Sequence, residues 1–301
     1  MLDRTSQGGI TIFILFFTLL PFYSMARDVP ESPAGGGCLD LRGGRHGYYY
    51  AEDTDNCFDS ALLKNGITIE FWFCPARLTE RGEWWNLVAK PSLGYECIYQ
   101  ILIQHFLGRE GEEWMWLSRD GNSWGIWDIA SGKDYEPTWY HVVLQGHGIE
   151  IGFSGRGFSG IVFIDGISKG SLGGSSSRFV FNSDHPLYVG GLPAGAQMCL
   201  HIGEDYVPSS VTTFDGLIDE LRISNVERYD YKAPGEKIKI KERFQPDEHT
   251  VALWHFDEGP GTLRYEDASG NGHTLFAAGQ LEVTQKRKTP ILWGAIKEQK
   301  K

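Results

Sequence analysis

No stretch of this 301-residue chain keeps an apolar pattern at helical period for more than about two turns, which argues against a helical domain. There is no Cys-x-x-Cys pair, and the spacing of Cys38, Cys57, Cys74, Cys97 and Cys199 matches no zinc motif. No His-Glu-x-x-His run is present, which removes the usual zinc-protease helix. Positive charge is scarce: 28 Lys and Arg stand against 39 Asp and Glu, a formal net charge of −11. Phosphate binding relies on clustered Lys and Arg, so nucleic acid is not an expected partner. Nor is there an apolar run of the roughly 20 residues that a bilayer-spanning helix needs.

The longest apolar run is Ile10 to Tyr23, preceded by Arg4 and followed by Ser24-Met25-Ala26. Small residues stand at the −3 and −1 positions of a cut after Ala26, the layout of a secretory signal peptide. Residues 1–26 are therefore expected to direct export, to the outside or to the cell envelope, with no membrane span left after cleavage. Residues 27–36 read as a linker, and the Lys-rich stretch 285–301 as a loosely attached tail. All five cysteines fall in the exported part, and their odd number leaves at least one thiol unpaired.

What is abundant points to sheet. Glycine numbers 38, aromatics reach 13%, and ten Trp are present, a mixture suited to tight turns and large side chains on pleated faces. In Ile67–Phe73, Ile67, Ile69, Phe71 and Phe73 share one face while Thr68, Glu70 and Trp72 share the other; Pro75 then stops the run. Further short runs start at Tyr99, Glu113, Trp124, Trp139, Gly160, Leu187, Gly216 and Thr250. Turn residues separate them, among them Asp120-Gly121 and Asp165-Gly166, whose Gly supplies positive φ for a hairpin. The charged stretch 232–248, with Pro234 and Pro246, reads as a surface linker. An all-β sandwich follows.

Six segments in order then resemble the laminin-G-like, concanavalin A-like lectin/glucanase superfamily. They are Leu39–Gly44, Ile67–Phe73, Trp139–Val143, Val162–Gly166, Leu187–Gly191 and Phe214–Ile223. The resemblance implies two antiparallel sheets packed as a jelly roll over residues 37–284. Trp72 and Trp139 are expected in the packing rather than at a ligand. One departure is visible: Ala252–Gly261 followed by Asp267–Gly272 resembles the segment that opens such a domain, yet here it comes last. Residues 249–284 are therefore expected to supply a closing strand.

The glucanases of this superfold use paired carboxylates on one strand face, roughly 5 Å apart in retaining enzymes. Here the corresponding strand offers adjacent Asp219 and Glu220, which simple alternation places on opposite faces. A binding domain without catalysis is expected, with a divergent glycoside hydrolase as the lesser alternative. Calcium takes several oxygen ligands, and Asp257, Asp267 and Asn271 lie in a Gly-rich segment able to wrap an ion. The resemblance implies a structural calcium near the joined ends of the domain and adds Asp219 to that set. For a sugar ligand, Trp85 and Trp124, each close to a turn, are the expected exposed aromatics. The expected partner is a carbohydrate or glycoprotein; the alternative is a protein-interaction, adhesion or structural role alongside another envelope protein.

Overall fold

The computed structural model describes residues 29–44, 47–58, 65–80, 83–91, 97–105, 112–119, 122–131, 136–151, 155–176, 183, 185–193 and 210–278. The signal segment and the Lys-rich tail lie outside the described residues. Sixteen strands, numbered in chain order, form two sheets among them. The first sheet runs β1 (Leu39–Asp40), β13 (Gly216–Ser224), β3 (Ile67–Pro75), β8 (Tyr140–Ile151), β9 (Gly155–Ile164), β10 (Ile167–Ser176). On the same edge of β13 as β1 lies β14 (Thr250–Trp254), so the two ends of the domain meet on one strand. The second sheet runs β15 (Arg264–Tyr265), β16 (Leu275–Ala277), β2 (Tyr49–Ala51), β11 (Leu187–Val189), β4 (Glu83–Pro91), β5 (Cys97–His105), β6 (Glu112–Arg119), β7 (Asn122–Ser131). Every pairing is antiparallel except that of β12 (Ser210–Thr213), which lies parallel to β4. This is the all-β, two-sheet jelly-roll sandwich that the alternating runs imply. Among the described residues, no helix is long and apolar enough to cross a membrane.

Period-two alternation explains the core. Ile67, Ile69, Phe71 and Phe73 of β3 join Ile218, Leu221 and Ile223 of β13 and Val142 and Leu144 of β8. Across the sandwich they meet Tyr49, Trp85, Val88, Ile101 and Ile103. Each such side chain contributes about 1.5–3 kcal/mol by leaving water. Trp72 and Trp139 pack together with Cys74 and Leu217 in a smaller cluster of their own.

The outer face of β3 is also covered, although its sequence is polar. The covering chain is 226–248, which includes the stretch 232–248 that the sequence presents as a surface linker. Most of it is exposed, but it is laced to the β9–β10 turn by Ser168 N to Glu236 O, Gly235 N to Ser168 O and Ile238 N to Gly166 O, each 2.8 Å. That turn is the expected Asp-Gly hairpin, with φ of 51° at Asp165 and 72° at Gly166. A Cβ on Gly166 would stand 2.9 Å from the Ile238 carbonyl oxygen, so the strap and the turn both require glycine there.

Under the strap, Glu70 accepts from Arg222 Nε at 2.8 Å and from the Tyr229 hydroxyl at 2.7 Å. Arg228 grips Asp247 with two bonds of 2.8 and 2.7 Å. Phe244 is fully buried against the Arg222 guanidinium, 4.5 Å from its ring centroid. The stretch is a strap rather than a free linker because a charged run carries apolar anchors, Phe244 and Ile238.

Candidate functional site

The carboxylates of β13 stand in sequence where a catalytic pair would, with Asp219 also an expected ion ligand, and the strand places them differently. The register of β13 against β3 shifts between Asp219 and Arg222, and Glu220 takes a left-handed φ of 52°. Ile218 and Leu221 both enter the core, so the two residues between them, Asp219 and Glu220, lie together on the outer face. The expectation of opposite faces is corrected by this β-bulge, a device that re-aims side chains. Burial, not alternation, is what withdraws the pair from a substrate: both residues are 0% exposed.

Their oxygens are engaged. Glu220 accepts from the Phe244 amide at 2.7 Å and lies 2.5 Å from His255 Nδ1. Asp219 accepts from the Glu220 amide at 2.8 Å and from the Ser32 hydroxyl. Burial pushes the Asp219 carboxyl up to about 7; the Ser32 bond opposes this, while the charges of Glu220 and Asp257 add to it. Asp257 accepts from the Gly37 amide at 3.0 Å and pairs with Arg243, which holds its carboxyl below the ordinary range. The joint is tight: a Cβ on Gly37 would stand 2.4 Å from the Phe256 carbonyl oxygen.

Asp267 and Asn271 work elsewhere. Asp267 accepts four bonds: from the Leu253, Ser269 and His273 amides at 3.0, 2.9 and 3.0 Å, and from the Ser269 hydroxyl at 2.8 Å. Asn271 donates from Nδ2 to the Thr250 and Val251 carbonyls, both at 2.9 Å. Both fasten the turn to β14. The residues predicted to share a calcium thus fall into two groups. Arg243 already supplies positive charge in one, where His255 Nδ1 also occupies Glu220, and backbone amides fill the carboxylate in the other. Calcium takes six to eight oxygens, and Asp219, Asp257, Asp267 and Asn271 do not fit one such shell.

The expected aromatic contacts also need correction. Trp85 is 0% exposed and lies in the core, with the Arg77 guanidinium 4.8 Å from its ring centroid. It sits near a turn in sequence, but β12 and β5 flank β4 on both sides at that point, so the turn does not open it to solvent. Trp124 lies on β7 opposite Leu117; its side chain is outside the described residues. The sequence also contains two Gly-x-Ser-x-Gly spacings, Gly121–Gly125 and Gly166–Gly170. Their serines, Ser123 and Ser168, fall on β7 and β10, in antiparallel pairs, not at the strand-to-helix elbow that activates a serine.

A polar recess lies at the rim of the second sheet. The Tyr50–Phe276 register brings the loop after β2 beside the turn before β16. Between them opens a cavity of about 260 Å³, lined among others by Glu52, Asp55, Asn271, His273 and Phe276. The Phe276 ring lies 6.1 Å from that of Tyr50, and the Arg264 guanidinium stands 5.9 Å from its centroid. Beside them, Tyr48 and Tyr188 meet edge to face at 5.6 Å. The loop is held from below by the Asp53–Lys90 ion pair, 2.5 Å and fully buried, with Lys90 also donating to the Ser183 carbonyl at 2.7 Å.

Cys57, half-buried, sets its sulfur 3.2 Å from Nε2 of His273, one of the lining residues. Burial, then the charges of Asp53 and Asp55, push the Cys57 thiol far above its ordinary range. Of this lining the sequence points to Asn271 alone; Glu52, Asp55 and His273 are not legible there, because more than 200 residues separate the two halves of the recess. A larger cavity, about 460 Å³, is walled mainly by residues 29–38 where they cross Trp139 and Leu217.

Residues 44–230 match the family described as the concanavalin A-like lectin/glucanases superfamily. No curated protein matches the chain. Solved structures with a similar course include a protein from Bacteroides ovatus described as carbohydrate-binding, at 14% identity and a TM-score of 0.44. The match covers 76% of this chain and 57% of that one. The SAP-like pentraxin of Limulus polyphemus matches at 10% identity and a TM-score of 0.35, over 63% of this chain and 75% of its own. Domains LG4-5 of the mouse laminin alpha1 chain match at 12% identity and a TM-score of 0.35, over 66% and 45%. The chain therefore spans just over half the length of the first of these.

Proposed function

Since the chain belongs to the concanavalin A-like lectin/glucanases superfamily, we propose that it is an exported, non-catalytic binding domain for a carbohydrate or glycoprotein, engaged at the rim recess. The observation that carries this reading is the composition of that recess. Carboxylates (Glu52, Asp55), an amide (Asn271), hydroxyls (Thr54, Thr274) and one aromatic ring (Phe276) converge on about 260 Å³. A sugar ring presents alternating hydroxyls and an apolar face, which such a lining complements with hydrogen bonds and stacking. The volume is below the roughly 300–1,000 Å³ of sites for drug-sized ligands, so the recess suits a single ring, such as the end of a glycan chain. The absence of catalysis follows in this reading from the burial of the β13 carboxylates. Export rests on the apolar leader in the sequence.

The test is a glycan array probed with the full chain, followed by calorimetric titration of the best ligand. Phe276→Ala and Glu52→Gln are each expected to weaken binding at least tenfold while leaving thermal unfolding within a few degrees of the parent. If no glycan binds, or if both variants bind as the parent does, the recess is not a sugar site. A protein-interaction or adhesion role then becomes the better reading.

A further inference from the structure

We propose that Asp55, Cys57 and His273 form a site for one borderline-soft divalent transition metal, zinc before others, with its remaining position open to the rim recess. The site stands whether or not the recess takes a sugar. Among the described residues, this is the one group of three or more His, Cys, Asp or Glu side chains whose ligand atoms all lie within 4.8 Å of one another. A tetrahedral zinc with Zn–S near 2.3 Å and Zn–N near 2.0–2.1 Å sets its sulfur and nitrogen about 3.5 Å apart. The observed separation of Cys57 Sγ and His273 Nε2 is 3.2 Å, so a slight opening of the pair admits the ion.

The donor set chooses the metal. One sulfur, one imidazole nitrogen and one carboxylate oxygen are poor for calcium or magnesium, which take oxygens, and good for zinc. Three protein ligands beside a cavity also match the open kind of zinc site, which keeps a position for water or a ligand.

The ligands are held before any ion arrives. His273 is fixed at both backbone ends: its amide donates to Asp267 at 3.0 Å, and its carbonyl accepts from Trp254 Nε1 at 2.8 Å. Its ring rests 4.9 Å from that of Phe58. Asp55 and Cys57 flank Asn56, whose φ of 54° turns the loop sharply. The Phe58 amide ties the loop to Asp53 at 3.4 Å, and Asp53 is held by Lys90. Asn56 Oδ1, in the same turn, is buried and finds no donor among the described residues, a polar orphan of the kind that calls for an explanation. Asp267 thereby gains a role different from the expected one: through the His273 amide it positions a ligand instead of being one.

Cobalt is the probe, since it substitutes for zinc and reports its ligands by colour. The full chain is stripped with chelator, kept reduced, and titrated with cobalt and then with zinc. The expected result is one equivalent of cobalt, a thiolate-to-metal charge-transfer band in the near ultraviolet, and loss of that band as zinc displaces the cobalt. Cys57→Ser should abolish the band, and His273→Gln and Asp55→Asn should each weaken zinc binding more than about a hundredfold, beyond the roughly 10–100-fold effect of losing an outer-shell partner. Asp55 is exposed, so Asp55→Asn tests the site even if the other two variants fail to fold. Absence of the band in the parent, its persistence in Cys57→Ser, or unchanged zinc affinity in Asp55→Asn would each overturn the proposal. A failed glycan screen would leave it standing.

Discussion

Replacing Asp219 with Asn should stabilise the protein above pH 7 and leave it unchanged near pH 4. The side chain is fully buried on the bulge of β13, with Glu220 and Asp257 as its negative neighbours and Ser32 as its donor. Burial raises its carboxyl from 3.8 to about 7. The folded state thus keeps a proton that the unfolded chain gives up. Stability must fall as pH rises between those two values, and it stays low above them. At 1.36 kcal/mol for each pH unit, the gap amounts to an upper bound of about 4 kcal/mol.

Asn is neutral at every pH and keeps the geometry, since its oxygen still accepts from the Glu220 amide and its NH2 donates to Ser32 Oγ. Urea unfolding of parent and Asp219→Asn at pH 4, 5, 6, 7 and 8 reads the difference directly. The expected curve starts near zero, climbs by about 1 kcal/mol per unit, and levels off at about 2–4 kcal/mol above pH 7. A difference that is flat with pH, or a variant destabilised throughout, would refute the account of Asp219 as a buried, proton-holding carboxyl.

Phe244→Ala should cost about 3–5 kcal/mol, as truncation of a fully buried Phe does; hydrogen exchange should then show residues 226–248 losing protection before either sheet. Glu70→Gln should cost about 3–5 kcal/mol by leaving Arg222 buried without its counter-charge. A double variant, Glu70→Leu with Arg222→Met, should recover most of that loss in urea unfolding, and failure to recover would mean that the network is more than a charge pair. Calcium added to the chelator-stripped full chain should leave its melting temperature unchanged. A rise of several degrees would show that calcium bound to the folded state does stabilise it.

The sheet content and the core were legible because period two is a local signal. Ile67, Ile69, Phe71 and Phe73 declare their face without knowledge of any partner, and the structure places all four in the core. Trp85 was misread for the same reason: nearness to a turn in sequence says nothing about which strand lies alongside, and β12 covers it from more than 120 residues away. The strap was misread because composition averages over a segment. Pro, Lys and Glu dominate 232–248, yet Phe244 decides where it lies.

The bulge on β13 shows why the site was harder to read than the fold. Alternation assigns Asp219 and Glu220 to opposite faces, and only a left-handed residue in the strand reverses this. Nothing in a Glu side chain announces that conformation, which is several-fold more common for Asn or Asp. What holds Glu220 there is distant: the Phe244 amide and His255 both bond its carboxylate. His255 follows directly on β14, which pairs with β13 from Leu221 onward, just past the bulge. On the other side of the bulge, β1 pairs at Leu217 and Ile218. The bulge therefore sits where the first strand hands the sheet edge to the late one, and its buried carboxylates bond to groups from both ends of the chain, Ser32 and His255. The polar residues at the joined ends thus fasten the closure of the sandwich, which is why residues that read in sequence as ion ligands serve in the fold as bonds between its first and last strands.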